Sequence, residues 1–125
     1  MGDLTNNFSR HEFACECGCG KGAVDYFLLT VLQDLRDHFN AEVTVSGGNR
    51  CWKHHIEVYK SLGKFPIKNS AHLISMAADI KVNGVSPRSV YKYLDKRWGD
   101  KVCLGLYYSF VHVDSRSFGY RWKGF

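Results

Sequence analysis

Apolar side chains in the first third of the chain recur with the period of an α-helix. From residue 24 to residue 39 they lie three or four positions apart, on one side of a helix of about four turns. The positions are Val24, Phe27, Leu28, Val31, Leu32, Leu35 and Phe39. Asn40 is a typical helix end, so the sequence predicts a scaffold helix that stops there.

Shorter runs rich in β-branched and aromatic residues predict strands. They cover residues 42–46, 77–82, 102–108 and 110–114, with a short final run at 120–122. Two more helices are expected, at residues 52–62 and after Ser86 and Pro87, where serine caps the helix and proline occupies its first turn. This order predicts an α+β fold with a small, mostly antiparallel sheet packed by helices.

Length and composition fit a single domain. The chain has 125 residues, 45% hydrophobic and 14% aromatic, which suffices for a core without disulfide bonds. We expect one monomeric domain over residues 1–125, with residues 1–22 as an N-terminal arm anchored by Phe8 and Phe13. No apolar run approaches the roughly 20 residues of a membrane span, and the N-terminus has no apolar signal-peptide core. Cytoplasmic synthesis without membrane insertion is therefore expected.

The net charge indicates which kinds of binding partner the protein suits. Seventeen Lys and Arg against 12 Asp and Glu give a net charge of +5, which suits an anionic cell wall or another polyanion. The basic residues are scattered, which makes nucleic acid the weaker partner.

Five cysteines include Cys15, Cys17 and Cys19, which are spaced too closely for the usual zinc motifs. Reduced thiols are favoured, and a structural metal held by two of these and Cys51 is the alternative.

Two short segments carry the candidate chemistry, NSAHLISMAADIK at residues 69–81 and FVHVD at residues 110–114. Strand alternation places His112 and Asp114 on one face of the second segment. In the first segment, Asp79 faces away from its apolar neighbours. If the two strands are adjacent, Asp79 and His112 converge, and His72 reaches in from the preceding loop.

Two imidazoles and one carboxylate form a mixed nitrogen and oxygen site that suits zinc with one position open. Zinc in such a site lowers the pKa of water to about 7 and polarises a carbonyl, which favours amide or ester hydrolysis. Arg50, at the end of the first strand, is a candidate to hold a carboxylate or an oxyanion. The spacing of His72 and Asp79 alone is a loose pattern, and a surface histidine or a paired aspartate would also explain it.

A family resemblance adds to this interpretation. The order SGGNRCWKHH, NSAHLISMAADIK, GLYYSFVHVDSR and a terminal YRW resembles the M15 peptidases, which are D-Ala-D-Ala carboxypeptidase-like zinc enzymes of cell-wall metabolism. The likeness is strongest to their short, phage-type and MepK-like branch and covers residues 8–122. It implies the hedgehog/D-Ala-D-Ala peptidase fold.

The resemblance also implies roles for individual residues. The zinc ligands would be His72, Asp79 and His112. Arg50 would hold the substrate or polarise its carbonyl, and Ser70 would bind the peptide by a hydrogen bond. Asp114 would orient a histidine or take part in proton transfer.

One departure leaves the general base open. Many M15 enzymes carry Glu or Asp three residues before the last ligand, where this chain has Ser109. Asp114 is then the leading candidate for the base, with His54 or His55 as alternatives if the helix after Arg50 reaches the site.

Three functions are compatible with these features. The first is a zinc peptidase that cleaves an amide in a peptidoglycan stem or cross-bridge peptide, as in a phage endolysin or tail-associated enzyme. The second is a non-catalytic zinc module of the same fold that binds a partner. The third is a basic nucleic-acid-binding domain with a structural metal.

Overall fold

The computed structural model describes residues 2, 4–14, 25–47, 52–63 and 76–124. In these residues, helix α1 spans Tyr26–Phe39, α2 spans Trp52–Ser61 and α3 spans Pro87–Trp98. The strands are β1 Val43–Gly47, β2 Ala77–Val82, β3 Cys103–Leu106, β4 Val111–Asp114 and β5 Arg121–Lys123. Short 3₁₀ helices cover Arg10–Phe13 and Gly99–Lys101. Among the helices in the described ranges, none has the length and hydropathy of a membrane span.

The five strands form one sheet in the order β1-β2-β4-β3-β5. Every neighbouring pair is antiparallel except β3 and β5, which are parallel. The predicted α+β fold with a mostly antiparallel sheet is therefore confirmed. Strands β3 and β4 are shorter than predicted because the amide of Tyr107 donates to the carbonyl of Phe110 at 3.1 Å, which closes the turn between them.

One face of the sheet is packed by α1 and α3. Alternate strand residues point into this core, which also holds the buried stripes of the two helices. The strand residues are Val43, Ala78, Ile80, Val82, Leu104, Leu106, Val111 and Val113. The other residues of β2 and β4 point to the opposite face, and Asp79 and His112 are among them. The core thus fixes which face carries the candidate chemistry.

The arm contributes to the same core. Phe8 and Phe13 are each only 1% exposed, and their ring centroids lie 6.1 Å apart, as expected of anchoring residues.

Among the described residues, Cys103 is a buried free thiol, and burial raises its pKa. The other four cysteines lie outside the described residues, so the predicted alternative of a thiolate metal site stays a prediction.

Helix α1 begins where a side chain caps it. The Asp25 carboxylate accepts a hydrogen bond from the amide of Leu28 at 3.1 Å, which satisfies an otherwise unpaired donor of the first turn. At the other end, Asn40 adopts a left-handed conformation with φ of 47°, which confirms the predicted stop.

Replacing Asp25 by alanine is expected to lower the free energy of unfolding by about 1 kcal/mol, because the cap is lost. Asp25→Asn keeps a capping oxygen and is the matched control. Urea denaturation of both variants checks the prediction, and equal stability of Asp25→Ala and the wild type would contradict it.

Candidate functional site

Antiparallel pairing of β2 with β4 places Asp79 directly opposite His112. Asp79 Oδ1 lies 3.0 Å from His112 Nδ1. The Asp79 side chain is 20% exposed and that of His112 10% exposed, so the pair lies at the edge of solvent rather than in the core. The convergence of Asp79 and His112 that strand alternation predicts is therefore present.

The second ring nitrogen of His112 is held by Asp114, two residues along the same strand. His112 Nε2 lies 2.8 Å from Asp114 Oδ2. Arg116 binds the same carboxylate, through Nε to Oδ1 at 3.0 Å and Nη2 to Oδ2 at 2.8 Å. The backbone amide of Arg116 also donates to Oδ1 at 3.2 Å. A histidine is thus fixed between two carboxylates, one of which is tied to an arginine.

These contacts shift the pKa values of His112 and Asp114 in the metal-free protein. Burial lowers the pKa of His112, but hydrogen bonds to Asp114 and Asp79 outweigh burial and raise it above its ordinary value. Burial likewise raises the pKa of Asp114, but His112 and Arg116 outweigh it and bring this pKa down to about 2. Asp114 is therefore a carboxylate at neutral pH.

The surroundings of Asp114 favour an orienting role over a general-base role. Its side chain has no exposed surface, and both of its oxygens already accept hydrogen bonds. A carboxylate with a pKa of about 2 is also a weak proton acceptor at neutral pH. Ser109 lies exposed in the turn between β3 and β4, and its side chain carries no carboxyl group that could act as a base.

The donor set around His112 fits a divalent metal. A histidine that binds a metal through one nitrogen commonly donates its other N–H to a carboxylate, which fixes the ring. Here Asp114 holds Nε2 and leaves Nδ1 beside the Asp79 oxygen. The described residues contain no complete group of three His, Cys, Asp or Glu side chains close enough to hold an ion. The predicted third ligand, His72, lies outside them.

Other predicted site residues also lie outside the described part of the chain. These are Arg50 and Ser70, together with the side chains of His54 and His55. Their roles stay predictions.

Sequence reasoning missed two residues of the site. Arg116 lies two residues after Asp114, and its guanidinium folds back onto that carboxylate. Trp122 lies beside His112, with ring centroids 5.0 Å apart. The available signals were the arginine two positions after Asp114 and the tryptophan of the terminal YRW.

The low pKa of Asp114 predicts an acid-sensitive contribution to stability. A folded pKa of about 2 against an ordinary value of 3.8 means that this contribution is complete above pH 3.8 and is lost as the pH falls towards 2. In the metal-free protein, the free energy of unfolding of the wild type should fall over this range by about 2 kcal/mol more than that of Asp114→Asn, which cannot titrate. Urea denaturation across the pH range measures both, and parallel curves would contradict the assignment.

An α+β domain that presents a histidine between two carboxylates on one sheet face has the donor types of a hydrolytic metal site. The family model described as Peptidase M15 matches residues 6–114, which is most of the chain. The protein belongs to the peptidase M15 family, whose members are typically zinc peptidases. Comparison with the curated proteins and with the solved structures found no match.

Proposed function

We propose that this protein is a zinc-dependent peptidase that hydrolyses an amide bond in a peptidoglycan stem or cross-bridge peptide. The observation that carries the proposal is the pairing of Asp79 with His112 Nδ1, while Asp114 holds the other ring nitrogen. Membership of the M15 family supports the reaction class. The resemblance of the motifs to cell-wall enzymes supports the substrate.

In this proposal His72, Asp79 and His112 hold the ion. Zinc bound there would supply Lewis-acid activation of a water molecule and of the amide carbonyl. Asp79 contributes an anionic oxygen, and His112 contributes Nδ1. Asp114 keeps the His112 ring in one orientation and one tautomer through Nε2, and Arg116 keeps Asp114 in place.

Arg50 and Ser70 would bind the substrate. Gly47 pairs with Asp79, and Arg50 follows Gly47 by three positions in the sequence. A guanidinium in that role holds a substrate carboxylate or stabilises the oxyanion that develops on the carbonyl. The Ser70 hydroxyl would donate a hydrogen bond to, or accept one from, the backbone of the substrate peptide.

In this proposal a residue other than Asp114 acts as the general base, because the Asp114 carboxylate is buried and both of its oxygens accept hydrogen bonds. His54 and His55, in the first turn of α2, are then the candidates. A neutral imidazole has a pKa near the working pH, which is the condition for efficient general-base catalysis.

The charge of the protein suits its proposed site of action. A net charge of +5 favours association with an anionic cell wall. A phage lysis enzyme or a tail-associated enzyme acting as a monomer on the wall would have these properties.

Removal and return of the metal tests the proposal. Dialysis against a chelator should abolish the release of amines from a synthetic stem or cross-bridge peptide, and about one equivalent of zinc should restore it. Zinc binding without cleavage of any wall peptide would overturn the peptidase proposal in favour of a partner-binding module. Tight, salt-sensitive DNA binding that persists in His72→Ala would instead indicate a nucleic-acid-binding domain.

A further inference from the structure

Trp122 lies in the same row of the sheet as the candidate ligands. Across strands β2, β4, β3 and β5, the paired residues are Asp79, His112, Gly105 and Trp122. The indole and imidazole centroids are 5.0 Å apart, with 49° between the ring planes. The indole therefore borders the site on the side opposite Asp79.

The absence of a side chain at Gly105 makes room for this ring. A Cβ atom at Gly105 would lie 2.5 Å from the Trp122 indole, closer than real side-chain contacts allow. The ring thus occupies the space above β3 that a side chain would otherwise fill. It cannot move further towards the sheet, because the β3 backbone lies directly beneath it.

A second aromatic residue fixes the ring from the side. Trp122 Nε1 donates to the Tyr107 hydroxyl at 3.0 Å. Tyr107 in turn stacks on Phe110, with centroids 4.4 Å apart and planes within 11°. Its ring lies over Gly124, where a Cβ atom would overlap it. Trp122 is thus held by a hydrogen bond to a tyrosine that is itself packed against Phe110 and Gly124.

This arrangement determines what Trp122 can offer a ligand. The N–H group is the only hydrogen-bond donor of an indole, and Tyr107 already accepts from it. The remaining ring surface is apolar and half-buried. A ligand group in contact with it gains by burying apolar surface rather than by hydrogen bonding.

We propose that Trp122 is a specificity-determining residue of the peptidase: its fixed indole forms an apolar wall beside His112 that contacts the side chain of the substrate residue next to the scissile amide. The proposal rests on the function proposed above. Because the ring cannot retreat towards β3, the wall limits the size of that side chain and favours a small aliphatic group such as the methyl group of alanine.

A series of synthetic wall peptides tests this assignment. The residue on each side of the cleaved amide is varied in turn from alanine to aminobutyrate, norvaline and leucine, with its natural configuration kept. The wild type should prefer alanine at one of the two positions. In Trp122→Ala, the ratio of kcat/KM for leucine to that for alanine at that position should rise at least about tenfold, because a few methylene groups change discrimination by this order.

Two further variants separate specificity from stability. Trp122→Leu keeps an apolar side chain of smaller size and should shift the same ratio in the same direction if Trp122→Ala fails to fold. Tyr26→Ala removes an aromatic side chain that is 80% exposed at the start of α1, and it should leave the ratio unchanged.

The outcomes distinguish the two proposals. A wild type that cleaves none of the peptides overturns the proposed function, and the role of Trp122 falls with it. If the wild type cleaves the peptides, but the ratio of kcat/KM for leucine to that for alanine is the same in the Trp122 variants as in Tyr26→Ala, the role of Trp122 alone is overturned. Equal loss of activity on every peptide would likewise indicate a purely structural role.

Discussion

Replacing His112 by alanine is expected to reduce peptide hydrolysis to the uncatalysed background and to remove the bound zinc. His112 is the residue that joins both carboxylates of the site, through Nδ1 to Asp79 and through Nε2 to Asp114. Its loss would remove one of the proposed metal donors and leave Asp114 without a histidine to orient. Asp79→Asn should have the same effect with almost no change in shape, because an amide oxygen is a much weaker zinc ligand than a carboxylate.

Metal content and peptide hydrolysis, measured on the same preparations, check this prediction. His38→Ala is the matched control, since His38 lies on α1 and stacks on Tyr93 of α3, with centroids 3.8 Å apart. These helices pack on the sheet face opposite the site, so this variant should keep both zinc and activity. Retention of full activity by His112→Ala would rule out the proposed site.

Arg116→Met is expected to lower the free energy of unfolding of the metal-free protein by about 3–5 kcal/mol. The change removes two charge-assisted hydrogen bonds from the Arg116 guanidinium and leaves the buried Asp114 carboxylate to the His112 ring and the backbone amide of residue 116. The Asp114 side chain is fully buried, although that of Arg116 is partly exposed, and removing the cationic partner of a buried carboxylate costs far more than breaking an exposed ion pair. Zinc affinity should also fall by about 10–100-fold, because the His112 ring is held less firmly.

Arg97 provides the contrasting case on the surface. Its side chain is 50% exposed, and its Nε lies 3.8 Å from Asp34 Oδ2. Arg97→Met should therefore cost no more than about 1 kcal/mol. Arg116→Lys retains the charge but not the two-pronged geometry, so its stability should fall between the wild type and Arg116→Met. Urea denaturation of the three variants gives the comparison, and an equal cost for Arg97→Met and Arg116→Met would contradict it.

The parts of the fold that depend on local pattern could be predicted from the sequence. Strand β2 has the predicted bounds because alternation from Ala77 to Val82 is sustained over its whole length. Helix α3 begins as Ser86 and Pro87 indicate, with the serine hydroxyl accepting from the amide of Ser89. The faces of Asp79 and His112 follow from the same periodicity, which explains why their convergence was predictable.

The features that sequence reasoning missed depend on contacts between distant residues. The parallel pairing of β5 with β3 brings Trp122 over Gly105, and no local pattern specifies that register. Arg116 lies beyond the end of β4, where strand alternation no longer determines the direction of a side chain. Because that contact completes the hydrogen bonding of the Asp114 carboxylate, the sequence alone could not decide whether Asp114 is a general base or a residue that orients His112.

Mass spectrometry of the muropeptides released from purified sacculi is the most direct test of the central claim, that a metal site containing Asp79 and His112 hydrolyses peptidoglycan peptides. Zinc-loaded wild type should convert a stem or cross-bridge peptide into products that have gained one water molecule, and the product masses would identify the bond. His112→Ala and chelator-treated wild type should release none of them. Absence of these products from every wall type tested with the zinc-loaded wild type, or their equal release by His112→Ala, would contradict the claim.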